Sequence, residues 1–247
     1  MLEIPVPHAI IFDKDGTLID VHHYWIEMSL LRINNILNNI SPSASKTYEV
    51  RSFLLRKLGI DIKNRKIHKN GPAGVVPKNR IKSIISQALK DSGYIIEPQN
   101  LEEAFLAADE SSNKELHKFI RLLPGVEKII SIAKKKKIDL NLVSNDITER
   151  SKLTLNCLGF LDNFRFVFGQ DEVKHAKPNP DLAQLVMMKG SYSENLVNIG
   201  DHPNDIKMGL AAGIKINIGL LTGLSKKEDF TDLDCFVINS LEELVFV

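Results

Sequence analysis

Cysteine is almost missing from this 247-residue chain: there are two, Cys157 and Cys235, far apart and in no metal-ligand spacing. That excludes a disulfide framework and a thiolate zinc site, and two unpatterned thiols suit a reducing, cytoplasmic compartment. No apolar run approaches the ~20 residues that a membrane span needs. The start, Met1-Leu2-Glu3-Ile4-Pro5, lacks the basic and long apolar parts of a signal peptide, so none is expected. Charge of one sign is lacking too. The net value is +1, which makes no general case for nucleic acid or a membrane surface as partner. There is no internal repeat and no low-complexity tract. What is present is ordinary for a globular protein, 43% hydrophobic and 26% charged residues. The length suits one large domain, or a core with a smaller domain attached.

The stretch Ala9-Ile10-Ile11-Phe12 reads as a strand buried on both faces, and it ends in Asp13-Lys14-Asp15-Gly16-Thr17-Leu18. After Asp20 the alternation of strand and helix stops for about a hundred residues. Helices are expected over 24–40, 46–58 and 79–89, the last capped by Asn79. Asn100 with Glu103 reads as a capping box opening a further helix to about 120. An irregular basic stretch with Asn70-Gly71-Pro72-Ala73-Gly74 interrupts them. From Leu123-Pro124-Gly125 the rhythm resumes, with helices at 126–136, 148–158, from Pro180 after an Asn179 cap, and 204–212. Strands are expected at 138–143, 164–168, 196–199, 214–218 and 235–238. This pattern predicts an α/β, doubly wound parallel sheet from residues 1–20 and 122–247, with a helical domain, 21–121, inserted after the first strand.

Four polar clusters follow expected strands: Asp13-x-Asp15, Ser144-Asn145, Lys177-Pro178 and Gly200-Asp201-His202-Pro203-Asn204-Asp205. In a parallel sheet they project at one edge, where such folds bind ligands. Together they suit a phosphate ester. Asp13 is the expected nucleophile, since a carboxylate needs no deprotonation at neutral pH. Asp15 would protonate the leaving oxygen and then activate water. Mg²⁺, held by Asp13, Asp201 and the carbonyl of Asp15, would neutralise charge on the transferring group. Lys177 adds a fixed positive charge, and the Ser144 hydroxyl and Asn145 amide would donate to phosphate oxygens. Gly16 allows a sharp turn that brings backbone amides near the anion.

The four motifs, in this order and spacing, resemble those of the haloacid dehalogenase-like hydrolase superfamily. The inserted helical segment is similar to the family's type 1 cap, as in phosphoglycolate phosphatase-like and β-phosphoglucomutase-like members. The resemblance implies a Mg²⁺-dependent phosphohydrolase of a small phosphorylated metabolite, working through a phosphoaspartate. It also implies Asp201 as a direct metal ligand and Asp205 as a helper acting through water or by orientation. Gly16, Thr17, Ser144, Asn145 and Lys177 become the expected substrate-binding set. Asp15 sets the chain apart from dehalogenases, which lack the second aspartate. The alternatives are a phosphomutase, which returns the phosphoryl group to a bound sugar, and a non-catalytic anion-binding protein on the same fold.

Lys14 is read here as a solvated loop lysine rather than a substrate contact. His22 and His23 are read as capping or packing residues near a hinge, and His175 and His202 are not needed by the chemistry. Between 46 and 90 the chain is rich in base, including Arg51, Arg56, Lys57, Arg65, Lys78 and Lys82. Solvated helix faces account for such a run, and a leaving group with a second negative charge is the sharper reading. Sparse aromatics there set nucleic acid aside. The expected state is a monomer or weak dimer.

Overall fold

The computed structural model describes the backbone from Met1 to Val247 and every side chain except those of Ala44 and Ser45. The chain divides into two compact units, Met1–Asp20 with Leu122–Val247, and Val21–Arg121. In chain order, β1 (Leu2–Ile4) and β2 (Ala9–Phe12) lead into α1 (Val21–Ile40) and α2 (Ala44–Lys57). Next come β3 (Ile60–Asp61), β4 (Lys66–Ile67), α3 (Lys78–Asp91) and α4 (Pro98–Lys114). The remainder is α5 (Val126–Lys136), β5 (Asp139–Val143), α6 (Thr148–Cys157), β6 (Phe164–Phe168), α7 (Asp181–Gly190), β7 (Leu196–Gly200), α8 (Pro203–Ala211), β8 (Ile216–Leu220), β9 (Phe236–Ile238) and β10 (Leu244–Phe246).

The α/β unit is built on a six-stranded sheet of order β6-β5-β2-β7-β8-β9, parallel throughout. All four residues of β2 are buried, because helices cover both faces of a parallel sheet and leave no strand face for water. From β2 the chain continues to β5 on one side and β7 on the other. That reversal of order opens a crevice at the carboxyl end of β2. A row of buried asparagines crosses the sheet at one register: Asn141 and Asn198 flank Ile11, and Asn217 flanks Asn198. Asn198 donates to the Asp205 carbonyl (2.9 Å) and to Asn217 Oδ1 (3.0 Å), which ties α8 to the sheet. A separate parallel pair, β1 with β10, was not visible as periodicity because three residues are too few to show it.

In the helical unit, α1 buries Tyr24, Met28, Ile33 and Ile36, and it also buries a charge. Arg32 lies over the Phe105 ring at 4.8 Å and donates to Asp109 of α4 at 3.0 Å. Asp109 in turn accepts from Lys78. Arg65 is paired with Glu27, and Lys82 with Glu102, so these members of the basic stretch are matched within the unit. His22 Nδ1 accepts from the Ile67 amide (3.1 Å), a packing role.

Several expected boundaries move, for local reasons. α4 starts at Pro98, not at an Asn100 cap, because proline is preorganised for the first helical position. It ends at Lys114, and a short 3₁₀ turn, Leu116–Lys118, replaces its expected last turn. Pro180 sits at the cap of α7 instead of inside it, and the Asn179 side chain donates to the Ala176 carbonyl instead of capping the helix. α3 opens after Pro77, so Asn79 is inside it. The stretch taken as irregular contains the hairpin β3–β4, closed by Asn64, which donates from backbone and side chain to Asp61. Among the described residues, no helix is long and apolar enough to cross a membrane.

Candidate active site

β2 delivers Asp13 to the crevice while the sheet still holds its backbone: the Asp13 amide donates to the Ile199 carbonyl at 2.9 Å. The chain then reverses at Gly16, whose φ of +86° is open to glycine without strain. The reversal consumes its own donors. Gly16 N–H donates to the Ile19 carbonyl (2.8 Å), and Leu18 and Ile19 donate to the Lys14 carbonyl. The Gly16 amide is therefore committed inside the turn and is not free for an anion, contrary to the expectation from sequence. Thr17 is fully buried, and its hydroxyl has no partner among the described residues.

Lys14 corrects another expectation. It is not solvated but 3% exposed, with Nζ 2.7 Å from Asp146 Oδ2 and 3.3 Å from Asp15 Oδ2. A buried ammonium is tolerated only with such partners. It ties the turn after β2 to the loop after β5. In that loop Ser144 is buried, and its Oγ accepts from the Asp146 amide (3.0 Å) while its hydroxyl proton remains available. The Asn145 side chain clamps the backbone of Lys177: its Oδ1 accepts from Lys177 N (3.1 Å), and its Nδ2 donates to Lys177 O (3.5 Å). The Lys177–Pro178 peptide bond is cis.

Lys177 is the link between the motifs. Its Nζ donates to Asp13 Oδ1 at 2.7 Å and to Asp205 Oδ1 at 2.8 Å. Asp205 spends its other oxygen on the His202 amide (3.0 Å), while His202 Nδ1 accepts from Asn204 N–H (3.1 Å). This reciprocal cap opens α8 and gives His202 a structural task. Asp201 stands between β7 and that cap.

One oxygen each from Asp13, Asp201 and Asp205 lies within 4.8 Å of the others. The Asp15 carboxylate is outside this group, about one-third exposed and beside Lys14, which leaves its carbonyl as the atom that could join a metal shell. Burial pushes Asp13 up to about 7; Asp205 and Asp15 add to the effect and Lys177 opposes it. Burial also raises Asp201 well above the ordinary carboxylate range, with Asp13 and Asp205 adding and Lys177 opposing. Burial alone would lower the Lys177 ammonium, but Asp13 and Asp205 reverse that and hold it above its usual value. Three carboxylates thus face one ammonium.

The cluster fits a hard divalent cation. Asp201, 7% exposed, has no hydrogen-bond donor to its carboxylate among the described residues, so this buried anion lacks a partner that a cation would supply. All the donors are carboxylate oxygens, the set that Mg²⁺, Ca²⁺ and Mn²⁺ prefer. Two neighbours were not singled out in the sequence. Thr222 Oγ1 donates to the Gly16 carbonyl at 2.6 Å, and Gly223 lies against Asp201 so closely that a Cβ there would be 1.6 Å from Oδ2. Their one sequence signal was a Thr-Gly pair just past a strand whose carboxyl end faces the same edge.

The pattern of the haloacid dehalogenase-like hydrolases matches residues 7–213. Pyrophosphatase PpaX of Oceanobacillus iheyensis is 26% identical over 209 residues, 84% of this chain and 80% of that protein. A phosphoglycolate phosphatase of Pseudomonas fluorescens is 23% identical over 242 residues, 97% of this chain and 79% of that one. Among solved structures, a Thermotoga maritima protein assigned as a β-phosphoglucomutase superposes with a TM-score of 0.69 at 19% identity, covering 96% of this chain and 95% of its own. CbbY of Rhodobacter sphaeroides, solved with phosphate, gives 0.58 at 20% identity with 96% of each chain covered. The two structures speak for the fold. With the family pattern spanning most of the chain and an aspartate-lined crevice at the end of β2, this protein belongs to the haloacid dehalogenase-like hydrolases, a family of enzymes.

Proposed function

We propose that the protein is a divalent-cation-dependent phosphatase, with Mg²⁺ as the working ion, acting on a small phosphorylated metabolite through a phosphoaspartate on Asp13. The observation that carries this reading is the position of Asp13. It follows the central strand directly, is held by Lys177 at 2.7 Å, and stands beside a buried Asp201 whose carboxylate has no hydrogen-bond donor among the described residues.

Asp13 and Asp201, with the Asp15 carbonyl, would hold the cation, which supplies positive charge to the phosphoryl oxygens and keeps buried carboxylates ionised. The Asp13 carboxylate attacks phosphorus as the ester P–O bond breaks. Asp15, whose side chain is more exposed than that of Asp13, gives its proton to the leaving oxygen and then takes one from the water that splits the acyl phosphate. The acyl bond breaks at phosphorus, inorganic phosphate leaves, and both aspartates return to their starting state. Lys177 offsets repulsion between Asp13 and the incoming phosphate. Its backbone is set by Asn145, which makes Asn145 a positioning residue, while the Ser144 hydroxyl keeps a proton to donate.

The helical unit is the natural selector of the leaving group in this reading. Both chain crossings into it leave the α/β unit side by side: Ile19 is bridged to Leu122, and Leu123 donates to the Leu18 carbonyl (3.0 Å), a few residues after Asp13. A surplus of lysine and arginine in that unit favours compact, highly charged substrates, as do the pyrophosphatase and phosphoglycolate phosphatase relatives. The test is phosphate release from a panel of phosphorylated metabolites, pyrophosphate and phosphoglycolate included, with Mg²⁺ and after EDTA. Asp13→Asn should abolish turnover with the fold intact. Turnover by the Asn variant, with no deamidation by mass spectrometry, would refute the covalent route.

A further inference from the structure

We propose that the loop after β8, through Thr222 and Gly223, is a fifth element of the site that seats Asp201 and sets how tightly the site holds its cation. The inference rests on the reading of Asp13 and Asp201 as cation ligands. Thr222 and Gly223 would act as positioning residues, without touching the substrate.

Asp201 presents an orientation problem. A carboxylate is usually aimed by the groups that donate to it, and this one has no such donor among the described residues. Its direction must therefore come from packing, and the packing is backbone. A Cβ at Gly223 would fall 1.6 Å from Asp201 Oδ2, 2.4 Å from Cγ and 2.8 Å from Cβ; one at Gly16 would fall 2.4 Å from Oδ2 and 2.5 Å from Cγ. Real Cβ contacts do not approach this closely, so the carboxylate rests directly on two glycine backbones. Thr222 joins the same two segments, because its hydroxyl donates to the Gly16 carbonyl at 2.6 Å. The sheet anchors the loop at its start, where Leu221 N donates to the Ile238 carbonyl of β9 at 3.0 Å. The loop, the turn after β2 and Asp201 thus form one fixed contact. Unlike Gly16, Gly223 does not adopt a positive φ, so what it supplies is room.

This contact would preorganise a ligand for the cation. Residues that orient metal ligands typically contribute about 10–100-fold in metal affinity. The experiment measures Mn²⁺ binding to the full chain by isothermal titration calorimetry, alongside metal-free thermal unfolding. It compares the natural protein with Gly223→Ala, Thr222→Val, Thr222→Ser and Asp201→Asn. Gly223→Ala and Thr222→Val should weaken Mn²⁺ about tenfold or more. Thr222→Ser, which keeps the hydroxyl, should stay within about threefold of the natural protein. If Gly223→Ala does not fold, the Val and Ser pair carries the test. Equal affinity in Thr222→Val and the natural protein overturns the inference, as does an equal loss in the Val and Ser variants. If the natural protein binds no Mn²⁺, or Asp201→Asn binds it unchanged, the cation reading falls first and this inference with it.

Discussion

Replacing Lys177 with methionine tests the electrostatics of the site most directly. The ammonium is 2% exposed and bridges Asp13 at 2.7 Å and Asp205 at 2.8 Å, with Asp201 close by. Methionine keeps much of the volume but leaves three buried carboxylates facing one another without a cation. Removing one member of a buried ion pair costs about 3–5 kcal/mol. At roughly 2–4 °C per kcal/mol for a chain near this size, the melting temperature should drop by roughly 6–20 °C. The loss should also depend on pH, and the sign follows from Asp13. Its folded value, about 7, lies above the unfolded 3.8, so the native state holds the proton more tightly and stability declines as pH rises through that window. Lys177 is among the influences that lower Asp13, so its removal raises that value further and extends the decline upward. The deficit of Lys177→Met should therefore be smaller at pH 5, where Asp13 is neutral in both proteins and only the pairing with Asp205 is lost, and largest near pH 8. Thermal unfolding by circular dichroism in EDTA at the two pH values reads it. A deficit equal at both, or larger at pH 5, would refute the argument.

Because protons and a cation compete for Asp13 and Asp201, whose values are both raised, the melting-temperature gain from saturating Mg²⁺ should grow from pH 5 to pH 7.5; a gain that shrinks with pH would contradict the assignment. Asp146→Asn removes the nearer carboxylate from buried Lys14 and should cost about 1.5–3 kcal/mol in urea unfolding, with a neutral result counting against the Lys14 tie. Asn198→Leu leaves the Asp205 carbonyl and Asn217 Oδ1 without their donor and should cost about 1–3 kcal/mol per acceptor; a variant as stable as the natural protein would show that α8 is held otherwise. Asp109→Asn should weaken the helical unit, because its carboxylate serves both Arg32 and Lys78; burial opposes that ionisation, yet the two cations hold Asp109 below its ordinary value. The stability it contributes should accordingly be present above pH 4 and fade in more acid solution, as acid unfolding of the variant beside the natural protein would show.

The parallel sheet was legible because its cause is local. Runs such as Ala9-Ile10-Ile11-Phe12 are apolar without alternation, and Leu196-Val197-Asn198-Ile199 is so but for one asparagine; a strand covered on both faces uses such a run. Glycine and proline marked most breaks, and they misled by a turn or less where two capping signals competed, as at Pro98 and Asn100. The short pairs β1–β10 and β3–β4 carried no period long enough to read.

The sequence by itself determined which residues stand at the ends of the strands, and so which carboxylates, lysine and serine share an edge. Which of them touch was a tertiary decision. Lys14 and Asp146 are 132 positions apart, Lys177 and Asp13 are 164 apart, and Thr222 and Gly16 are 206 apart. No local propensity specifies contacts at such separations. Lys14 looked solvated because a lysine between two aspartates already has counter-charges beside it; only the arrival of Asp146 makes its burial tolerable. Asn145 turned toward the Lys177 backbone, and Asp205 toward Lys177 and the α8 cap, because buried polar groups must find partners wherever packing leaves them. Asp201 found no donor among the described residues, and its place beside Asp13 and Asp205 is a property of the folded crevice alone.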